Sequence, residues 1–486
     1  MVKKRRHISR RKFIGEASCA ALGSTTFLSS VLNLGAINTL AARPHIIGSS
    51  SDYKAMVCIL LAGGADTHNV LIPTETSEYD AYAATRNDLA LDINANPPEI
   101  LDLDYNDNGL TYGVHAGMPN VRDMFDDGDL SFLANVGTLI EPISDYNDYI
   151  NGGKQIPLGL YSHSDQIMQW QTSIPQTRSG IGVGGRMADL LHAMNSIPDI
   201  SMNISLDGKN RFQSGNDIVE YAINNDTTAQ NIGFDGFPTW WSNSGFLNMT
   251  KDSSINSMVA ESYANIFQKT FGELGEQTIE STEIFKAALG NVVPLNTTFQ
   301  PTGLSQDLQK IAEVISVRSH LGSCRQIFFT TFGGWDHHDD VINNQNAMLP
   351  ILNDALHSFN EAMKELGIHD KVITFTISDF ARTLTSNGNG SDHAWGGNQL
   401  IMGGPITGQQ IFGSYPTLSL TNPLNVSDRG RYIPTTSVDE FYAEVALWFG
   451  VSPNDLDYVL PNLCNFYSTS GCPAAPPANY MPIGMF

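Results

Sequence analysis

Four short stretches of this sequence carry carboxylates or imidazoles, three of them just behind apolar runs. They are "GGADTHN" with Asp66, "GGWDHHDD" with Asp336 and His338, "ISDFART" with Asp379, and "NGSDHAWGG" with Asp392 and His393. Carboxylate oxygen and imidazole nitrogen together suit zinc, manganese or a similar divalent ion. Glycines before Asp66 and Asp336 let the backbone turn sharply and approach a ligand closely. Each stretch alone has an ordinary explanation. An aspartate after a strand often caps the next helix, and a loop histidine is often merely solvated. Four such stretches at strand ends point to a shared centre. In "GGWDHH" the chain can turn at the glycines and present Asp336 and His338, two residues apart, on one side. His337 between them would point away. Asp336 and His338 are therefore expected on one metal, with His337 outside its ligand set.

A nucleophile is offered by "YSHSDQIMQW", where Ser162 and Ser164 flank His163 in a loop leading to a helix. A bound metal or the helix N-terminal amides would activate a serine there. Ser164 reads equally well as a helix cap; Ser162 is less easily explained that way.

The elements that must position these residues alternate strand-like apolar runs with helical patterns, which reads as α/β with a largely parallel sheet. Strands are expected over 54–64, 130–137, 325–332, 371–378 and 398–404. Helices are expected over 182–194, 255–275, 305–322, 347–366 and 437–450, the last opened by a Ser/Asp cap signal. Pro350 would sit near its helix's start, where a missing donor costs little. Residues 200–250 are Asn/Gly/Ser-rich and carry short strands at best. Asp66, Asp336 and Asp379 each follow a strand, and in open α/β sheets ligands gather at the strands' carboxyl ends.

The chain has 486 residues, 41% of them hydrophobic, and a formal net charge of −23. It can bury a substantial core. Its acidity argues against nucleic acid or anionic lipid as a general partner. The N-terminus differs from the rest: "MVKKRRHISRRKFIGEASCAALGSTTFLSS" begins basic and becomes weakly apolar and rich in small residues. "SRRKFI" resembles the twin-arginine export signal. Glu16 and the many small polar residues disfavour a stable membrane span, so cleavage after Ala42 is expected. Removing residues 1–42 takes away seven basic residues and one acid, and −23 becomes −29. Replacing Arg10 and Arg11 with lysine keeps the charge but alters the motif, so precursor should accumulate in the cytoplasm; normal export of that variant would end the assignment.

Cys58 and Cys324 lie in apparent strands and are expected as buried thiols. Cys464 and Cys472 flank a polar loop and are a plausible disulfide in an oxidising compartment.

Taken in order behind such a signal, "LLAGGADTHNVLIP", "YSHSDQ", "GGWDHH" and "ISDFARTLTSNGNGSDHAWGG" resemble the domain of unknown function 1501 family, grouped with the alkaline phosphatase and sulfatase superfamily. The resemblance spans nearly all of residues 43–486. It implies a single alkaline-phosphatase-like α/β domain, a largely parallel central sheet flanked by helices, with an irregular insert near 200–300. It also implies metal ligands at Asp66, Asp336, His338, Asp379 and His393, and Ser162 as nucleophile. Asp379 stands where the family more often has glutamate. Superfamily two-metal enzymes use an adjacent Asp-His pair and a later histidine, yet His393 is the last histidine here, so one site is a histidine short. The sulfatase pattern of Cys or Ser followed by x-Pro-x-Arg is absent, which disfavours sulfate esters.

The expectation is an exported, periplasmic or secreted, metal-dependent hydrolase of phosphate mono- or diesters, with zinc as the expected divalent metal. The nucleophile would be Ser162 or a metal-bound water, acting on a small-molecule or polymer ester. The twin-arginine translocase would be its partner during export, with no nucleic acid and no membrane span after processing. The rival is a non-catalytic exported binding or assembly protein that kept the fold and lost the chemistry.

Overall fold

A computed structural model of the chain describes residues 52–198, 200–225, 281–468, 471–472, 475–477 and 480–486. The expected signal over 1–42 and the helix expected over 255–275 lie outside the described residues. All described residues belong to the unit Gly48–Phe486.

The architecture is mixed α/β, with a largely parallel central sheet flanked by helices. In chain order the strands are β1 (Lys54–Ala62), β2 (Leu71–Pro73), β3 (Ile100–Asp102), β4 (Tyr112–His115), β5 (Leu130–Gly137) and β6 (Asn203–Ser205). They continue with β7 (Tyr221–Ala222), β8 (Arg325–Gly333), β9 (Val372–Ser378), β10 (Gly397–Met402), β11 (Ile411–Gly413) and β12 (Thr436–Ser437). The large sheet runs β11-β5-β10-β9-β1-β8-β6-β7, with β12 pairing β5; β2, β4 and β3 make a small antiparallel sheet. Only β10 runs against its neighbours β5 and β9. Its first residue therefore lies at the end of the sheet where the other strands finish.

β1 shows why the sheet is covered on both faces. Its nine residues KAMVCILLA are almost all buried, an apolar run without polar alternation. Side chains alternate between two cores, as the strand's two-residue period requires. Ala55, Val57, Ile59 and Leu61 pack with Leu308 and Ile311 of helix Gly303–Ser316 and with Leu352 and Phe359 of helix Val341–Glu365. Met56, Cys58 and Leu60 pack with Met187 of helix Val183–Leu191 and with Phe441 and Val445 of helix Val438–Phe449. The last of these opens on a capping box between Ser437 and Glu440.

One local expectation fails. The helix expected from 347 begins at Val341, so Pro350 lies inside it rather than near its start. Residues 341–346 extend the helix upstream, and the proline removes an interior hydrogen bond instead of a terminal one. Cys58 and Cys324 are buried. Cys464 and Cys472 are joined, with Cα atoms 5.8 Å apart.

Candidate metal centre

The turns that follow β1, β8 and β9 meet at one point with the segment entering β10. After β1 come Gly63 and Gly64, both at positive φ (120° and 78°). A Cβ on Gly63 would lie 2.5 Å from the Asp336 nitrogen, and one on Gly64 would lie 2.5 Å from the Phe380 ring. Glycine is required at both positions because these turns touch. Asp336 follows β8, Asp379 follows β9, and His393 precedes the reversed β10. His163 arrives separately, as the first residue of helix His163–Thr172.

Four donor atoms converge there. The Nε2 atoms of His163, His338 and His393 and a carboxylate oxygen of Asp336 all lie within 4.8 Å of one another. His338 Nε2 is 2.8 Å from His393 Nε2, and His163 Nε2 is 3.1 Å from His393 Nε2. Asp336 Oδ1 is 3.2 Å from His338, 3.5 Å from His163 and 3.7 Å from His393. A tetrahedral zinc with bonds of about 2.0–2.2 Å requires ligand separations of roughly 3.3 Å. The donor set fits.

The opposite ring nitrogens show why the cluster calls for a cation. His163 Nδ1 meets Asp379 Oδ2 at 2.6 Å, His338 Nδ1 meets Asp392 Oδ1 at 3.1 Å, and His393 Nδ1 meets the Tyr161 carbonyl oxygen at 2.8 Å. All three partners are acceptors, so each Nδ1 donates, which leaves each Nε2 as the ring atom turned toward the cluster. Three Nε2 atoms then face one another beside Asp336 Oδ1, which also accepts from Arg382. A divalent ion would suit that arrangement of donors.

Burial lowers the His393 pKa below the ordinary imidazole value, assisted by the nearby Arg382 guanidinium and opposed by the Tyr161 hydrogen bond. That ring is therefore neutral and available to metal at neutral pH. Asp379 is fully buried and shifts the other way: desolvation raises its carboxyl pKa, opposed by hydrogen bonds from Gly63 and His163. For Asp336, burial alone would raise the pKa, but the hydrogen bond and charge of Arg382 outweigh it and hold the carboxyl below its usual range.

The candidate residues thus separate into three groups. Asp336, His338 and His393 come together. Asp379 stands behind His163 and orients it, with its second oxygen accepting from the Gly63 amide at 3.0 Å. Asp66 is outside the cluster, fully buried, and paired with the equally buried Arg86 at 2.6 Å. The cation beside Asp66 is a guanidinium, and Asp66 does not join the four-donor cluster. Ser162 is the N-cap residue of helix His163–Thr172 but makes no side-chain capping bond; its hydroxyl is 3.3 Å from that of Ser164. His337 is buried beside Trp335, with ring centroids 5.8 Å apart, and does not enter the cluster.

Two contributors were not singled out from sequence. In the sequence His163 is flanked by two serines at a helix start, and a histidine behind a strand and loop repeats the pattern of the other motifs. Arg382 is fully buried and has no such signal. Its guanidinium donates to Asp336 Oδ1 at 2.5 Å, to the Gly64 carbonyl at 2.7 Å, to the Ser391 carbonyl at 3.1 Å, and to the Gly63 carbonyl. One side chain therefore ties three of the converging turns together. Phe380 packs against both His163 and His393, with ring centroids at 4.8 and 4.5 Å.

Residues 260–455 match the family model described as "Protein of unknown function (DUF1501)". That span holds Asp336, His338, Asp379 and His393; His163 lies before it. No curated protein matches the sequence. Among solved structures, a sulfatase from Pseudoalteromonas sp. aligns at 11% identity and a TM-score of 0.34, covering 87% of this chain and 72% of that one. A substituted alkaline phosphatase aligns at 11% identity and a TM-score of 0.28, covering 68% of this chain and 64% of that one. Likenesses this loose carry no argument about chemistry, and the donor geometry has to stand alone.

The carboxylate behind His163 gives a direct test. Asp379→Asn keeps the shape but weakens the acceptor that fixes the ring's tautomer. Metal affinity should fall roughly 10–100-fold, the usual range for such partners. Competition against a chromogenic chelator measures it, and an unchanged affinity would remove Asp379 from the centre.

Proposed function

We propose that this protein is an exported metal-dependent hydrolase of phosphate esters. One divalent ion, zinc by the nature of its donors, would be held by His163, His338, His393 and Asp336. The observation that supports this reading is the inward convergence of three imidazole lone pairs and a carboxylate at the carboxyl end of the sheet. The centre is open to solvent on one side, where the side chains of His338 and Asp336 are 44% and 49% exposed. When bound, such an ion polarises a phosphoryl oxygen and lowers the pKa of water or of a nearby hydroxyl.

The chain's own residues do the rest. Asp379, Asp392 and the Tyr161 carbonyl hold the three rings in the metal-binding tautomer. Arg382 spends its donors on Asp336 and on backbone carbonyls, so its role is to fix the turns rather than to bind substrate. Ser162 stands next to His163 and is the side-chain nucleophile in this reading, with water as the alternative. Export would use the translocase that reads "SRRKFI", and among the described residues no helix is long and apolar enough to cross a membrane.

A non-catalytic role has one observation in its favour. Four protein donors can close a tetrahedral site, as in structural zinc centres, whereas catalytic ones keep a position open. The experiment is to strip the purified protein with chelator, restore it with zinc, and assay mono- and diesters of p-nitrophenyl phosphate. Hydrolysis lost with the metal and regained with zinc supports the enzyme. Stoichiometric zinc without hydrolysis of either ester favours the binding or assembly protein.

A further inference from the structure

A cavity of about 270 Å³ opens beside the residue that follows His163. Ser164 forms part of its wall, and the Ser164 hydroxyl is the one that lies 3.3 Å from Ser162. The apolar side comprises Leu60 of β1, Phe329 of β8 and Ile167 of helix His163–Thr172. Facing them are Lys209 and Arg211, from the loop after β6. In a chain with 50 acidic and 27 basic residues, two cations at one small cavity depart from the general pattern. Among the described residues neither forms an ion pair; Arg211 has only a long 3.4 Å contact to the Ser179 carbonyl. Asp207 is the one acid on the lining, and its carboxylate already accepts the Thr331 hydroxyl at 2.6 Å.

The loop is built to hold its shape. Buried Asn210 donates to Ser205 Oγ at 3.1 Å and to Gln213 Oε1 at 2.8 Å. The amides of Arg211 and Phe212 both donate to Gln171 Oε1, at 2.9 and 3.0 Å, which ties the loop to the helix that carries His163. Gly208, at a φ of 62°, makes the turn between Asp207 and Lys209. The two cations therefore project from a fixed base, and part of the ordering cost of binding is already met in the fold.

Resting on the hydrolase reading, we propose that this cavity is a substrate subsite. It takes the alcohol portion of a phosphate ester that carries a second negative charge. The apolar wall would receive a ring or short carbon body, and Lys209 with Arg211 would receive its anionic group. The volume suits one monosaccharide-sized or aryl-sized unit, at the small end of ordinary ligand sites.

Two non-hydrolysable probes test this on the zinc-loaded full-length protein: benzylphosphonate and its 4-carboxy derivative, titrated by calorimetry. Wild type should bind the carboxylated probe about tenfold more tightly or better. The double variant Lys209→Ala/Arg211→Ala should lose that advantage while binding benzylphosphonate unchanged and keeping its zinc. Equal affinities in wild type, or an advantage that survives in the variant, overturn the subsite. Failure of both probes to bind also overturns it. Hydrolysis of p-nitrophenyl phosphate by the same samples then shows whether the hydrolase reading falls too: zinc-dependent hydrolysis means that the subsite alone has failed, and no hydrolysis means that both have.

Discussion

His338→Ala should strip the centre of its metal, while His337→Ala should leave metal content near that of wild type. The two residues are neighbours in sequence with opposite environments. His338 turns Nε2 to the cluster, 2.8 Å from His393 and 3.2 Å from Asp336, and is anchored through Nδ1 by Asp392. His337 is buried beside Trp335 and contributes nothing to the donor set. Loss of a whole ligand should exceed the roughly 100-fold upper end of what orienting partners cost in affinity. His163→Ala should match His338→Ala, since each removes one of three imidazoles. Metal analysis after dialysis at neutral pH decides it. Wild-type metal content in His338→Ala would remove "GGWDHH" from the site, and the same result in His163→Ala would remove the helix start.

The second large effect concerns stability. Arg86→Met should destabilise the protein by about 3–5 kcal/mol, because it leaves the Asp66 carboxylate uncompensated in the interior. Asp66 and Arg86 are both fully buried and meet at 2.6 Å, and among the described residues no second salt bridge reaches the carboxylate. Removing both charges together, as Asp66→Leu/Arg86→Met, should cost much less than the single change, since the desolvation penalty disappears with the charges. Denaturant midpoints of the two variants measure the difference. The same pair of variants also addresses metal: Asp66 lies outside the donor cluster, so the folded double variant should retain its metal. A metal-free double variant would return Asp66 to the ligand set.

Much of the architecture was legible from local pattern. The runs in β1, β5, β8 and β9 are continuous and apolar because both faces of the sheet are covered, and such runs are readable without knowing their neighbours. Helix Val438–Phe449 is legible from its Ser/Asp start signal, although the cap that forms joins Ser437 to Glu440. Pro350 misled because helix start signals are weak in "DDVINNQNAM", where an aspartate in the left-handed conformation precedes the first turn. Of the site, Asp336, His338 and His393 stood out because glycine, acid and imidazole cluster within a few residues behind strands.

By itself the sequence determined residue chemistry and period: which runs are strands, which residues at their ends carry donor atoms, and that Asp336 and His338 can share a side. Tertiary structure decided which of those donors meet. β9 pairs with both β1 and β10, so Asp379 and His393 reach the same place from strands running in opposite directions. His163 joins from a helix 173 residues before Asp336 in the chain, a separation that no local period encodes. Asp66 and Asp379 follow strands in the same way. Yet the first is met by a buried guanidinium and the second by an imidazole, so one joins an interior ion pair and the other backs a ring of the cluster. The physical reason is that a carboxylate's role depends on the cation that faces it. That cation comes from a segment folded in from elsewhere: Arg86 for Asp66, and Arg382 for Asp336, beside the ion proposed for the three histidines.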